Sequence, residues 1–156
     1  MKFISIISCK LSTFFLSLVG RGSSLPGTIA NILDKNILKK LELPKRIIVV
    51  TGSSGKGSTT KIIAHVLRES GFKVCHNEKG GNQKPGIITT LINASTLSGK
   101  AKSEIAVLEI DERSIKYILP IIHPTDVVIT NITRDQPPRQ KHINFIFEEI
   151  NKGLDK

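Results

Sequence analysis

The sequence predicts an α/β fold in which a parallel sheet carries helices on both faces. Short apolar segments alternate with segments of helical period along most of the chain, which is the pattern of strand–helix–strand units. The strand candidates are continuously apolar, as expected of parallel strands that are buried on both sides. With 156 residues, of which 39% are apolar, the chain is long enough to bury the core that such a domain needs.

The first element predicted is an amphipathic helix over residues 1–20. Its apolar side chains recur every three or four positions: Phe3, Ile7, Leu11, Phe14 or Phe15, and Leu18. Lys10 interrupts the apolar run and no Ala-x-Ala site follows it, which argues against a cleaved secretion signal. We favour packing of this helix against the rest of the chain; a helix on a membrane surface and a cleaved signal are the alternatives.

Residues 21–45 are expected to form a linker and short helices. Segment 20–27 is rich in Gly, Ser and Pro, which predicts a linker between the first helix and the domain. Apolar residues between positions 29 and 41 indicate one or two short helices that end near Pro44.

Residues 46–156 are expected to form the domain that contains the sheet. Apolar runs predict strands over 46–51, 73–76, 105–110 and 126–130. The intervening segments predict helices over 56–70, 85–97, 112–122 and 143–154, and Gly71 is well placed to end the first of them. In that helix, four apolar residues are predicted to share one face: Ile62, Ile63, Val66 and Leu67.

The loop after the first strong strand predicts a P-loop-type site for nucleotide phosphates. It reads Gly52-Ser53-Ser54-Gly55-Lys56-Gly57-Ser58-Thr59, the compact form Gly-x-x-Gly-Lys. Glycines let backbone N–H groups approach phosphate oxygens, the helix N-terminus adds partial positive charge, and Lys56 neutralises the β- and γ-phosphates. Ser58 or Thr59 would face a magnesium ion. The alternative is a Gly/Ser-rich turn that binds no ligand. Such a turn requires neither Lys56 nor the hydroxyl residues that follow it, so we favour the phosphate site.

Carboxylates follow the strand predicted over 105–110. Because the ends of parallel strands meet at one sheet edge, Glu109 is expected beside the phosphate loop. Magnesium prefers hard oxygen ligands, so Glu109 is the candidate metal ligand. Asp111 and Glu112 could instead form the acidic first turn of the next helix, and we expect this of Glu112. Segment 130–136 brings further polar groups to the same edge.

The charge distribution excludes some classes of partner. The net charge is +10, but residues 1–100 carry 15 Lys/Arg against 4 Asp/Glu, whereas residues 101–156 carry 8 against 9. A nucleic-acid surface would interleave this basic charge with aromatic residues, which make up only 4% of the chain, so we expect no nucleic acid partner.

The two cysteines cannot form a disulfide framework or a four-ligand zinc site, which favours a reducing cytosolic setting.

These segments together resemble the central ATP-binding domain of the Mur ligases and folylpolyglutamate synthases. The resemblance rests on the loop at 52–60, the strand ending in Glu109 and the segment 130–136. Within that superfamily the chain most resembles the MurT-type ligase subunit of lipid II isoglutaminyl synthase. The motifs that carry this resemblance are, in chain order, Gly22-Ser23-Ser24-Leu25-Pro26-Gly27, His76-Asn77, Gly81-Asn82, Glu109-x-Asp111-Glu112 and Arg134-Asp135-Gln136. The match extends over residues 20–150.

The resemblance implies an ATP-dependent amide ligase of cell-wall synthesis that uses ATP and Mg²⁺. Such enzymes phosphorylate a carboxylate and let an amine attack the acyl phosphate. In the MurT type, the acid is the D-glutamate of lipid II, and a separate glutaminase subunit supplies ammonia. The implied location is cytoplasmic, with peripheral association at the inner face of the membrane as a further possibility.

The resemblance also assigns roles to individual residues. Lys56 would hold the transferring phosphate as a catalytic residue, together with Glu109. The magnesium ligands would be Ser58, Glu109 and Gln136, with Gln136 in the place of a His found in other superfamily members. Weaker candidates for substrate contact are Asn82, Arg134 and Asp135.

The chain departs from the family pattern at several positions. Gly57 stands where the MurT type usually has a Thr, Pro137 and Pro138 follow Gln136, and the resemblance stops short of the zinc-ribbon cysteines and the C-terminal domain. We therefore expect the ATP-binding part of an incomplete ligase. The alternatives are a nonenzymatic nucleotide-binding or interaction module, and a ligase like the folylpolyglutamate synthases, which Gly57-Ser58 favours.

Overall fold

The computed structural model describes residues 1–18, 24–77, 81–133 and 143–154. Its helices are α1 (Lys2–Leu18), α2 (Leu25–Leu33), α3 (Ile37–Lys40), α4 (Lys56–Glu69), α5 (Lys84–Asn93), α6 (Ile115–Ile122) and α7 (Ile143–Leu154). Its strands are β1 (Arg46–Thr51), β2 (Val74–His76), β3 (Ile105–Glu109) and β4 (Asp126–Ile129).

The four strands form one parallel sheet in the order β2-β3-β1-β4. Alternate residues of the two central strands face opposite sides: Ile47 and Val49 join one hydrophobic cluster, and Ile48 and Val50 the other. The smaller cluster lies against α4 through Ala64, whereas the other helices pack into the larger cluster. The predicted fold class, a parallel sheet with helices on both faces, is confirmed.

The predicted linker extends too far. Positions 25–27 belong to α2, which has its proline in the first turn, where proline is favoured because its fixed φ suits the helix and its missing N–H needs no acceptor. Gly27 lies against α5: its N–H donates to Thr89 Oγ1 (2.8 Å), and a Cβ there would collide with Pro85 O. Residues 20–23 lie outside the described residues.

Several helix predictions need correction. In α4, Ile63 and Leu67 pack against the smaller cluster as predicted, beside buried Thr60 and Ala64. Ile62 and Val66, which were predicted on the same face, are exposed. Helix α5 ends at Asn93 rather than 97, and α6 begins at Ile115 rather than 112. Gly71 does follow the end of α4, with a φ of +90°.

Helix α1 packs on the domain with the face opposite to the predicted one. Ser5, Ile6 and Cys9 are its buried residues, and the helix contacts α2 and α5. The predicted apolar stripe points outward instead, with Phe14 61% and Leu18 71% exposed. Among the described residues, no helix is long and apolar enough to cross a membrane.

Candidate functional site

The candidate site is built around the loop between β1 and α4, at the carboxyl edge of the sheet. Gly52 begins the loop with a φ of +125°, a region that favours glycine because a side chain is strained there. A Cβ at this position would also press on Thr130 and lie 2.6 Å from Asn131 O. Glycine is therefore required both by the turn and by the close approach of the segment after β4.

Hydrogen bonds tie the loop to the segment after β4. Ser53 N donates to Asn131 O (2.9 Å), and Ser54 N donates to Asn131 Oδ1 (3.0 Å). Thr130 Oγ1 donates to Ser54 O (2.7 Å). The loop therefore has a preformed shape, and the polar residues after β4 lie at the expected edge.

Helix α4 begins directly after the loop. Its first N–H groups, those of Lys56, Gly57 and Ser58, have no acceptor inside the helix, and the helix dipole adds partial positive charge at this end. A Cβ added to Gly55 would meet no atom within 4 Å, so space is open above the loop. This arrangement of donors and open space fits an anion such as phosphate.

The Lys56 side chain bends back over the loop. Its Nζ donates to Gly52 O and forms an ion pair with Glu112 Oε1 (3.0 Å). The two side chains are 14% and 3% exposed, respectively. Glu112 was expected in the first turn of a helix, and this is wrong: it precedes α6, in a turn where Arg113 N donates to Asp111 Oδ1 (3.0 Å).

Glu109 ends the strand next to β1, and its backbone is paired in register with Val50. Asn77 binds its main chain: Glu109 N donates to Asn77 Oδ1 (2.7 Å), and Asn77 Nδ2 donates to Glu109 O (2.8 Å). Asn82 Nδ2 donates to the carboxylate Oε1 (3.1 Å). A Cβ on Gly57 would lie 3.2 Å from the other carboxylate oxygen, so the Glu109 side chain faces the start of α4.

The structure brings most of the predicted site residues together. Residues 52–59 form the loop and the start of α4, and Glu109 and Asn82 lie against each other. The carboxylate faces Gly57, whereas the Ser58 side chain is exposed. Arg134, Asp135 and Gln136 lie outside the described residues. In the described ranges, no three His, Cys, Asp or Glu residues are grouped to hold a metal ion.

Two residues that contact the candidate site, Glu112 and Asn77, are not among the predicted site residues. Glu112 contacts Lys56 across a separation of 56 residues, and no local pattern predicts such a pair. Asn77 is buried and bridges the segment after β2 to the end of β3. The sequence signal for Asn77 is its place in the His76-Asn77 motif, which is one of the motifs that carry the family resemblance.

The residues present fit magnesium bound together with phosphate. Magnesium is usually bound by one or two carboxylates plus phosphate oxygens and water. Glu109 supplies one carboxylate, oriented by Asn82 and directed at the start of α4, where the first N–H groups of the helix have no acceptor inside the helix. A single protein carboxylate is enough for a metal that arrives with a nucleotide.

Comparison with known proteins places this site in a family. A model of the Mur ligase middle domain matches residues 50–146, which include the loop, Asn82 and Glu109. The chain belongs to the Mur ligase family. The match to the middle domain agrees with the resemblance found in the sequence motifs.

Two relatives are similar over most of the chain. The MurT subunit of lipid II isoglutaminyl synthase (glutamine-hydrolyzing) from Streptococcus pneumoniae is 42% identical over 153 residues, which cover 96% of this chain and 34% of that protein. The MurT subunit from Staphylococcus aureus is 39% identical over 140 residues, covering 86% of this chain and 31% of that protein. The chain thus spans about a third of the length of these Mur ligase relatives.

Solved structures of Mur ligases share the fold. MurF from Thermotoga maritima, solved in complex with ADP, superposes with a TM-score of 0.59 at 22% identity, covering 82% of this chain and 28% of that one. At this identity the likeness supports the fold alone.

Proposed function

We propose that the chain is the ATP-binding part of an ATP-dependent amide ligase of peptidoglycan synthesis that amidates the D-glutamate of lipid II. The observation that carries the proposal is the preformed phosphate loop at β1, with the Glu109 carboxylate directed at its helix. The name of the MurT relatives supports the choice of substrate, since they match nearly the whole chain.

The loop binds and orients the triphosphate of ATP. The first N–H groups of α4 donate to phosphate oxygens, and Lys56 neutralises the phosphate that is transferred to the substrate carboxylate. Lys56 forms an ion pair with Glu112. When ATP binds, Lys56 gives up part of this ion pair and contacts the phosphate instead. Binding and charge neutralisation of this kind are the main protein contributions to phosphoryl transfer.

Glu109 is the proposed magnesium ligand. Glu109 would hold the ion against the phosphates, where magnesium would supply charge neutralisation. Asn82 and Asn77 keep the carboxylate and its strand end in place. Ser58 and Gln136 remain proposed ligands, and Asn82, Arg134 and Asp135 remain proposed substrate contacts.

Transfer of the γ-phosphoryl group from ATP to the substrate carboxylate releases ADP and gives an acyl phosphate. Ammonia attacks its carbonyl carbon, inorganic phosphate leaves, and the nitrogen loses a proton to give the amide. The words "glutamine-hydrolyzing" and "subunit" in the names of the relatives support a glutaminase partner as the source of ammonia. Lipid II is a membrane-bound acceptor, so the complex is expected to work at the cytoplasmic surface of the membrane.

A chimera tests the proposal. Residues 1–156 replace the matching region of the S. pneumoniae MurT relative, which is then combined with its glutaminase subunit, lipid II, ATP and glutamine. We expect amidated lipid II from the chimera and none from a chimera carrying Lys56→Ala/Glu112→Gln. A folded chimera that binds ATP without amidating lipid II would favour a nonenzymatic nucleotide-binding module.

A second comparison separates the two ligase classes. ATP hydrolysis by the same chimera is measured with ammonia and lipid II, and with L-glutamate and a folate acceptor. Dependence on ammonia supports the proposed function, whereas dependence on glutamate would support the folylpolyglutamate synthase alternative, which Gly57-Ser58 favours.

A further inference from the structure

We propose that the outer face of α1 docks on an anionic lipid bilayer, with the helix lying along the membrane surface. The outer face consists of six apolar residues that are between 54% and 71% exposed: Phe3, Ile4, Leu11, Phe14, Phe15 and Leu18. The proposal does not depend on the ligase activity, since it concerns a helix remote in sequence from the phosphate loop.

The outer face is a single stripe. At 3.6 residues per turn, these six positions fall within roughly a third of the helix circumference. Phe14 and Phe15 lie edge to face, with ring centroids 5.6 Å apart. Scattered exposed apolar residues are normal on protein surfaces, but a continuous stripe with three phenylalanines marks a contact surface.

The opposite face already attaches α1 to the domain. It buries Ser5, Ile6 and Cys9, and polar contacts fix it: Lys10 Nζ donates to Ser95 O (2.8 Å), and Asn93 Nδ2 donates to Thr13 Oγ1 (3.1 Å). A helix that only packs on its own domain turns its more apolar face inward, whereas α1 turns it outward. Because one side of the helix is attached to the domain, only the other side can contact a membrane. The helix axis then lies parallel to the membrane surface.

The positive net charge of the chain favours an anionic lipid surface, rather than a second copy of the chain, as the partner of the outer face. Residues 1–33 contain Lys2, Lys10 and Arg21 and no Asp or Glu, and the whole chain has a net charge of +10. A second copy of the chain would bring together two molecules that each carry a net charge of +10. Anionic lipids attract the net positive charge of the chain, while the phenylalanine and leucine side chains enter the boundary between headgroups and acyl chains.

A tryptophan reporter tests the proposal on the full chain. The natural sequence has no Trp, so Phe14→Trp introduces a single fluorophore in the outer face. Ile62→Trp is the matched control, because Ile62 is 63% exposed on α4. With vesicles containing about 30% phosphatidylglycerol, we expect a blue shift and quenching by brominated acyl chains for Phe14→Trp only.

Binding strength is measured by vesicle flotation. Phe14→Ser/Phe15→Ser should weaken binding by roughly 10-fold or more, whereas Ile62→Ser/Val66→Ser should leave it unchanged. Raised salt or pure phosphatidylcholine should weaken binding by the unsubstituted chain, because screening or removing the lipid charge removes the attraction. Affinity for MgATP, measured in parallel, is expected to be the same in both double variants, which keeps this test separate from the phosphate site.

Three results would overturn the proposal. They are equal flotation of the two double variants, equal binding to charged and neutral vesicles, and a dimer in sedimentation that Phe14→Ser/Phe15→Ser dissociates. The last result would assign the outer face to a second copy of the chain.

Discussion

At the scale of single residues, the lysine of the phosphate loop shares its charge with a buried carboxylate. Lys56 and Glu112 form an ion pair between two largely buried side chains. Removing one partner of such a pair leaves the other charge buried without compensation, which is strongly destabilising. Lys56 therefore contributes to stability as well as to the proposed phosphate contact, and a variant must separate the two roles.

A double variant makes this separation. We expect Lys56→Ala to lower the free energy of unfolding by roughly 3 kcal/mol, which leaves most domains folded. Adding Glu112→Gln should restore much of the loss, because the buried carboxylate is no longer charged. Urea unfolding of the wild type, both single variants and the double variant measures this coupling. Additive losses would show that the ion pair has no special role.

Glu109 can be tested through the metal. Because its carboxylate is the proposed magnesium ligand, Glu109→Gln should weaken ATP binding about 10-fold with magnesium present and leave metal-free binding nearly unchanged. Calorimetry with magnesium and with chelator measures both affinities. The control is Glu104→Gln, since Glu104 lies before β3 and accepts a hydrogen bond from Lys73 N (2.9 Å). Equal losses under the two conditions would contradict the role as a ligand.

At the scale of elements, a buried carboxylate of α7 forms an ion pair with α6, in addition to the apolar contacts between the two helices. Glu149 is 3% exposed and pairs with Lys116 Nζ (2.6 Å) and Lys152 Nζ (3.0 Å). The hydrogen bond from Lys116, followed by that from Lys152, lowers the pKa of Glu149, although burial opposes this. The folded state therefore favours the charged carboxylate.

This pKa shift predicts a pH dependence with a definite sign. A lowered pKa stabilises the fold fully above the unfolded pKa of about 4.3, and the contribution is lost as the pH falls through the folded value. Glu149→Gln should therefore cost roughly 1 kcal/mol at neutral pH and less towards about pH 3. Urea unfolding across this range measures the difference. A cost that stays constant with pH would exclude the ionised carboxylate as its cause.

The orientation of α1 predicts opposite effects at neighbouring positions. Ile6 is fully buried and Ile4 is 55% exposed. Ile6→Ala should therefore lower the free energy of unfolding by about 3 kcal/mol, and Ile4→Ala by less than about 0.5 kcal/mol. Thermal or urea unfolding compares the two. A larger loss at Ile4 would mean that the helix packs with its other face.

The central strands β1 and β3 were predictable from the sequence because burial on both faces leaves a continuous apolar run. The bounds of β1 match the prediction, and the other three strands differ by one residue at one end. The orientations of α1 and α4 were not predictable, because their apolar residues include exposed ones such as Ile62. The pairing of Glu112 with Lys56 depends on how distant segments meet, which no local pattern encodes.

At the scale of the whole molecule, the acidic and the basic parts of the sequence lie in different parts of the structure. The carboxylates Glu109 and Glu112, both after position 100, meet the phosphate loop at the sheet edge. The basic first third forms α1 to α3, which pack on the larger hydrophobic cluster through Ile6, Ala30 and Leu38. The division into a helix at 1–20, a connecting region at 21–45 and a domain at 46–156 stays a prediction.

The most direct test of the central claim is calorimetric titration of the chain with ATP and magnesium. We predict saturable binding by the wild type and a loss of roughly 100-fold in Lys56→Ala/Glu112→Gln, which avoids an unpaired buried charge. Lys61→Ala, which removes an exposed lysine from the same helix, should bind like the wild type. Unchanged affinity in the double variant would contradict a nucleotide site at this loop.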